Sequence, residues 1–137
     1  MADFGIQRAF ARFGAKLHNV QWSVSAWNTE GELVVSLWSH HYDRASPTGT
    51  AEYFDRLDRW QGPGNAEFRR NLLRASQERS VVRLVIASTH EVEHVQAGKD
   101  SSKVRKTFDP RMDWIGELVL LDGEEYRFRF RPATAAA

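Results

Sequence analysis

Near the C-terminus, Tyr126, Phe128 and Phe130 alternate with Arg127, Arg129 and Arg131. Period two sends neighbouring side chains to opposite faces, so this segment demands a sheet with one aromatic face to bury and one cationic face to solvate. The preceding Asp122-Gly123 suits a type I′ turn, in which both central residues have positive φ. The spacing therefore predicts a two-residue hairpin that joins 117–121 to 124–131. Residues 80–87 (SVVRLVIA) are strongly β-branched and predict a buried central strand. Trp22, Val24 and Ala26 alternate with Ser23, Ser25 and Trp27, and 32–39 follows across Asn28-Thr29-Glu30-Gly31. That pattern predicts a second hairpin, which carries Trp22, Trp27 and Trp38.

Two segments read as helices. Ile6, Phe10, Phe13 and Leu17 lie on one helical face of 3–17, with Asp3 as N-cap. Gly62-Pro63-Gly64 is a break, after which Asn65 caps a helix over 66–78. Phe68, Leu72 and Ala75 face the core there, and Arg70 and Arg74 lie on the outer side. Residues 43–50 are loop, 51–60 fit either a short strand or a helical turn, and 88–111 read as polar and irregular. The tail 132–137 reads as frayed. The expected architecture is one α+β domain over 1–131: a single curved, mainly antiparallel sheet or small open barrel with two packing helices.

At 137 residues the chain is long enough for one core. It has no cysteine, which excludes disulfides, iron–sulfur clusters and cysteine-ligated zinc. No run of about 18 apolar residues is present, so no membrane partner is expected, and the N-terminus lacks a signal-peptide pattern, so a cytoplasmic location is expected. Lys and Arg number 19 against 18 Asp and Glu. A nucleic-acid surface would therefore have to be a local patch.

Three basic patches qualify. Lys99, Lys103, Arg105, Lys106 and Arg111 outnumber Asp100 and Asp109. Arg69, Arg70, Arg74 and Arg79 outnumber Glu67 and Glu78 on the second helix. The Arg127, Arg129 and Arg131 row is the third. A guanidinium fixed on a sheet binds phosphate through two parallel hydrogen bonds, and a nearby indole can stack on a base. Trp60 and Trp114 are the candidates for stacking. The competing interpretation is an ordinary solvated face, with Leu118 and Leu120 under the arginine stems and Glu117, Glu124 and Glu125 neutralising part of the charge.

Other motifs point elsewhere. His90-Glu91-Val92-Glu93-His94 fits H-E-x-x-H, in which two histidines one helical turn apart hold zinc and the glutamate activates water. The motif needs a helix, however, and here it directly follows a strand, with charged Glu93 at a position that normally packs into a core. A solvated loop is the alternative. His40-His41-Tyr42-Asp43 offers imidazoles beside a carboxylate, although adjacent strand residues point apart and a polar strand end fits as well. No dinucleotide fingerprint, Walker loop or nucleophile elbow is present. The helix start at 62–65 has free N–H groups of the kind that hold phosphate, although such a break is usually only a turn.

The stretches 13–38 (FGAKLHNVQWSVSAWNTEGELVVSLW) and 106–130 (KTFDPRMDWIGELVLLDGEEYRFRF) resemble small bacterial domains of poorly defined function, some of which accompany HNH or restriction-type nucleases. The resemblance implies a role in recognising or handling DNA. The order helix–strand–strand–strand–helix–strand also matches, by analogy, the core of many restriction nucleases. Those enzymes hold magnesium with an Asp/Glu-x-Lys; 51–60 offers Glu52, Asp55 and Asp58 but no lysine.

The leading expectation is a small cytoplasmic binding module without a cofactor. It would contact nucleic acid through Lys103, Arg105, Lys106, Arg111, Arg127, Arg129, Arg131, Arg70 and Arg74, with Trp60 and Trp114 stacking. The alternatives are a metal-dependent hydrolase (magnesium nuclease or zinc peptidase) and a protein-interaction domain, homodimeric or with another partner, that uses the Trp-rich sheet.

Overall fold

The computed structural model describes residues 5–101 and 103–133. The fold is α+β. Helix α1 (Ile6–Ala11) leads into β1 (Ser25–Trp27) and β2 (Leu33–Trp38). A 3₁₀ turn (Ser39–His41), β3 (Tyr42–Asp43), β4 (Ala51–Arg56) and a second 3₁₀ turn (Leu57–Arg59) follow. Helix α2 (Pro63–Glu78), β5 (Val82–Ser88), α3 (Val92–Gln96), β6 (Thr107–Pro110), β7 (Trp114–Asp122) and β8 (Glu125–Pro132) complete the chain.

All eight strands join one open sheet in the order β1-β2-β5-β7-β8-β4-β3, with β6 also on β5. It does not close into a barrel. Every pairing is antiparallel except β2 with β5, which run parallel. The parallel pair explains the apolar runs of β2 and β5: both strands are covered on both faces. Leu33, Val35, Leu37, Val82 and Leu84 join Phe68 and Leu72 of α2 in the larger core. Val34 and Val85 point the other way, against Ala9, Phe10 and Phe13. Phe10 is fully buried there.

The β8 alternation is realised as the sequence predicts. Tyr126, Phe128 and Phe130 are buried in the larger core, and the arginines occupy the opposite face. Several expectations need correction. The first helix stops at Ala11, because the chain turns through Gly14 (φ +76°) and Ala15 pairs with Asn28. Phe13 and Leu17 still reach the same core as Phe10, so their spacing reports a shared destination rather than a continuous helix. Gly5 occupies the cap position; Asp3 lies outside the described residues. The second helix starts at Pro63 behind Gly62 (φ +116°), so Asn65 is not its cap. Its side chain is buried, donates to Leu57 O at 2.8 Å and accepts from Arg69 Nε at 2.7 Å.

Trp22 lies in a turn rather than a strand, since β1 begins only at Ser25. The C-terminal turn is Gly123-Glu124, flanked by the Asp122–Glu125 pair. Gly123 alone has positive φ, the pattern of a type II′ turn. A bulge at Val119 then separates Leu118, opposite Phe128 on the core side, from Leu120, opposite Arg127 on the outer side. Within 88–111, which reads as irregular, the structure places both α3 and β6. Pro132 ends β8 and Ala133 N–H donates to Asp113 O, while 134–137 lie outside the described residues. Among the described residues, no helix is long and apolar enough to cross a membrane.

Candidate functional site

A cleft of about 1060 Å³ opens at the carboxyl end of the parallel pair β2 and β5. Such strand ends leave room between the connections above them, which is where open sheets commonly take ligands. The turn at 20–24, Trp38, the start of α2, residues 97–101, Lys103 and Lys106 form its walls, with Phe68 and Tyr126 among its lining residues. Three tryptophans, Trp22, Trp38 and Trp60, line it, and none is fully buried. Lys99, Lys103 and Lys106 line it as well. Lys99 and Lys103 are exposed and pair with no carboxylate among the described residues. Lys106 is partly buried, which lowers its pKa, and its Nζ donates to Ser101 O (2.6 Å) and Val104 O (3.3 Å). It therefore pins the loop that carries Lys103.

Two glycines let the walls close. At Gly64 a Cβ would lie 2.2 Å from Trp22 O, so only glycine lets the 20–24 turn sit on α2. At Gly98 a Cβ would lie 2.0 Å from Arg59 O, and φ is +76°. The lysine segment can thus lie directly on the backbone before Trp60.

A polar brace borders the cleft, with His41 and Arg59 among the lining residues. Arg59 Nε donates to both Asp55 oxygens (3.0 and 2.8 Å), and its Nη1 donates to Val95 O at 2.6 Å. His41 Nδ1 lies 3.7 Å from Asp55 Oδ2. His40 and His41 both direct Nε2 to Gln96 Oε1, at 2.9 and 2.5 Å. The brace ties the 3₁₀ turns at 39–41 and 57–59 to α3. His41 Nε2 is held by Gln96, while Nδ1 faces Asp55 beyond hydrogen-bond distance. Burial lowers the pKa of His41 and His40 from 6.5, although Asp55 and the Gln96 hydrogen bond oppose it. A histidine whose folded pKa is depressed contributes stability that is complete above pH 6.5 and is lost as pH falls through the folded value. The melting temperature should therefore fall as pH is lowered from 6.5 to about 5, and His41→Gln should flatten that slope. An identical slope in His41→Gln, followed by calorimetry, would contradict the assignment.

The basic patches expected from sequence do not converge. Lys103, Lys106 and Trp60 line the cleft. Arg105 is exposed nearby, and its N–H donates to Glu91 Oε2 at 3.0 Å. Arg127, Arg129 and Arg131 occupy the face of β8 turned away from Tyr126, which borders the cleft. Arg127 meets Asp43 and Glu52, both at 2.7 Å, and Arg129 meets Glu52 at 2.6 Å. Arg131 is exposed on the same face. Arg70 is exposed on α2, while Arg74 bonds Glu78 and covers the Trp27 ring at 4.0 Å. Arg111 bonds Asp113 and lies 5.4 Å from the centre of Trp114. These two indoles thus have guanidinium partners outside the cleft.

Burial works to raise the Glu52 carboxyl, but hydrogen bonds from Arg129 and Arg127 outweigh it and hold the pKa below 4.5. Glu52→Gln keeps the shape but removes half of each charge pair. A loss of about 1–2 kcal/mol is expected in urea unfolding, less than for a fully buried pair because both arginines reach solvent. A change below a few tenths would show the network to be incidental.

The metal motifs are not assembled. Helix α3 begins at Val92, so His90 precedes it and the two histidines do not share a helical face. His94 Nε2 donates to Asp100 O, and Glu91 accepts from Arg105 N–H. Glu52 and Asp55 lie on opposite faces of β4, and Asp58 bonds Arg56. Among the described residues, no three His, Asp or Glu side chains are grouped to hold a metal ion.

Sequence reasoning placed Trp22 and Trp38 only in a hairpin and Lys99 only in a basic patch, without joining them in one site. Their signal was the clustering of tryptophan in the first hairpin and of lysine after α3, but nothing local joins the two. Comparison with protein-family models, curated proteins and solved structures found no match for this chain.

Proposed function

We propose that this protein is a nucleic-acid-binding module whose binding site is the cleft at the carboxyl end of β2 and β5. One observation carries the reading: Trp22, Trp38 and Trp60 share a single hollow with Lys99, Lys103 and Lys106. Partly buried indoles that still reach the cleft gain by stacking on bases, and exposed ammonium groups gain by neutralising phosphates. The polar brace of Asp55, Arg59, His41 and Gln96 holds the walls together. The stretches 13–38 and 106–130, which resemble small bacterial domains of poorly defined function, some of which accompany nucleases, both border this cleft: Trp22 and Trp38 come from the first, Lys106 and Tyr126 from the second. That suits a role in handling DNA. The reading is tested by fluorescence anisotropy with a labelled DNA strand across a salt series. Affinity should fall steeply with salt as condensed counterions are released. No binding at low salt, or binding that salt leaves unchanged, would overturn it.

A further inference from the structure

We infer that the cleft takes an unpaired base from a single strand and excludes duplex; the inference rests on the nucleic-acid reading above. Inside a duplex each base shows only its edges in the grooves, and its faces are covered by its neighbours. The indoles of Trp22, Trp38 and Trp60 lie in a concavity, so a base face meets them only after leaving its stack. Duplex readers, by contrast, push a helix or ribbon out into a groove about 12 Å wide. The cationic strand best placed for that role, β8, has Arg127 and Arg129 already matched to Asp43 and Glu52.

A single strand fits the charge layout better. Lys99 and Lys103 are exposed lining residues, placed to meet phosphates while a base turns inward. Exposed Gln61 and half-buried Ser101, also in the lining, offer donors and acceptors to a base edge.

The test uses the wild-type chain and a mixed-sequence strand of about a dozen nucleotides, made as DNA and as RNA, each free or annealed to its complement. Anisotropy gives the affinity, and intrinsic tryptophan fluorescence reports stacking. At least one single strand should bind about tenfold or more tighter than its own duplex and quench the tryptophan emission. Duplexes that bind as tightly as both strands would overturn the inference and leave the proposed function standing. If neither strand nor duplex binds at low salt, the proposed function fails and takes the inference with it.

Discussion

Lys99→Glu combined with Lys103→Glu should reduce affinity for single-stranded DNA more than a hundredfold at low salt. Both lysines are exposed, line the cleft and lack carboxylate partners among the described residues. Each reversal removes an attraction and adds a repulsion. Together the two should cost about 3 kcal/mol before screening, less as salt shortens the reach of the charges. The salt slope should fall as well, since each lost phosphate contact on a single strand removes about 0.7 from it. Neither lysine packs in a core, so the melting temperature should hardly move. A double variant that binds DNA as wild type does would remove the lysines from the mechanism. Arg131→Glu is the informative comparison: Arg131 is exposed on the sheet face opposite Tyr126, and reversing its charge should leave affinity nearly unaffected.

Trp38→Ala should weaken single-strand binding by about 1–3 kcal/mol, or roughly five- to 150-fold, the range for one lost base stack. Trp38 ends β2, borders the cleft and stacks on His40 at 5.8 Å between ring centres. Trp38 belongs to neither buried core, so folding should survive its loss. Trp38→Phe keeps an aromatic face and should recover much of the affinity. Equal losses in the Ala and Phe variants would mean that the indole acts through shape or stability rather than stacking. Trp114→Ala removes an indole outside the cleft and should leave affinity unchanged, which separates a loss of tryptophan in general from a loss in the cleft.

Much of the fold was legible because its signals are local. The β8 alternation, the β-branched run of β5 and the Gly62-Pro63 break each fix an element within a few residues. Signals that are shared over distance misled. Phe10 and Phe13 keep helical spacing although the helix ends between them, because burial in one core constrains where side chains arrive and not the backbone that delivers them. The arginine row looked like a phosphate surface because Asp43 and Glu52 are more than seventy residues away in sequence. A local charge count cannot include partners that β4 supplies through pairing with β8.

The cleft was the least legible feature. Trp22, Trp38, Trp60 and Lys103 belong to four separate segments. They converge because β2 and β5 run parallel, which sends the 39–41 turn and α3 off the same end of the sheet. A parallel pair needs a long crossover, here β3, β4 and α2, and that separation hides the site from any window of the sequence. Gly64 and Gly98 mark where the walls touch, yet neither is distinguishable in sequence from a turn glycine.

The most direct test follows the five tryptophan indole N–H resonances by NMR while a short single DNA strand is added. The signals of Trp22, Trp38 and Trp60 should shift or broaden together and saturate at one strand per molecule. Those of Trp27, which donates to Asn71 Oδ1, and of Trp114 should stay in place. Movement confined to Trp27 and Trp114, with the cleft trio unperturbed, would show that nucleic acid is held elsewhere on the molecule.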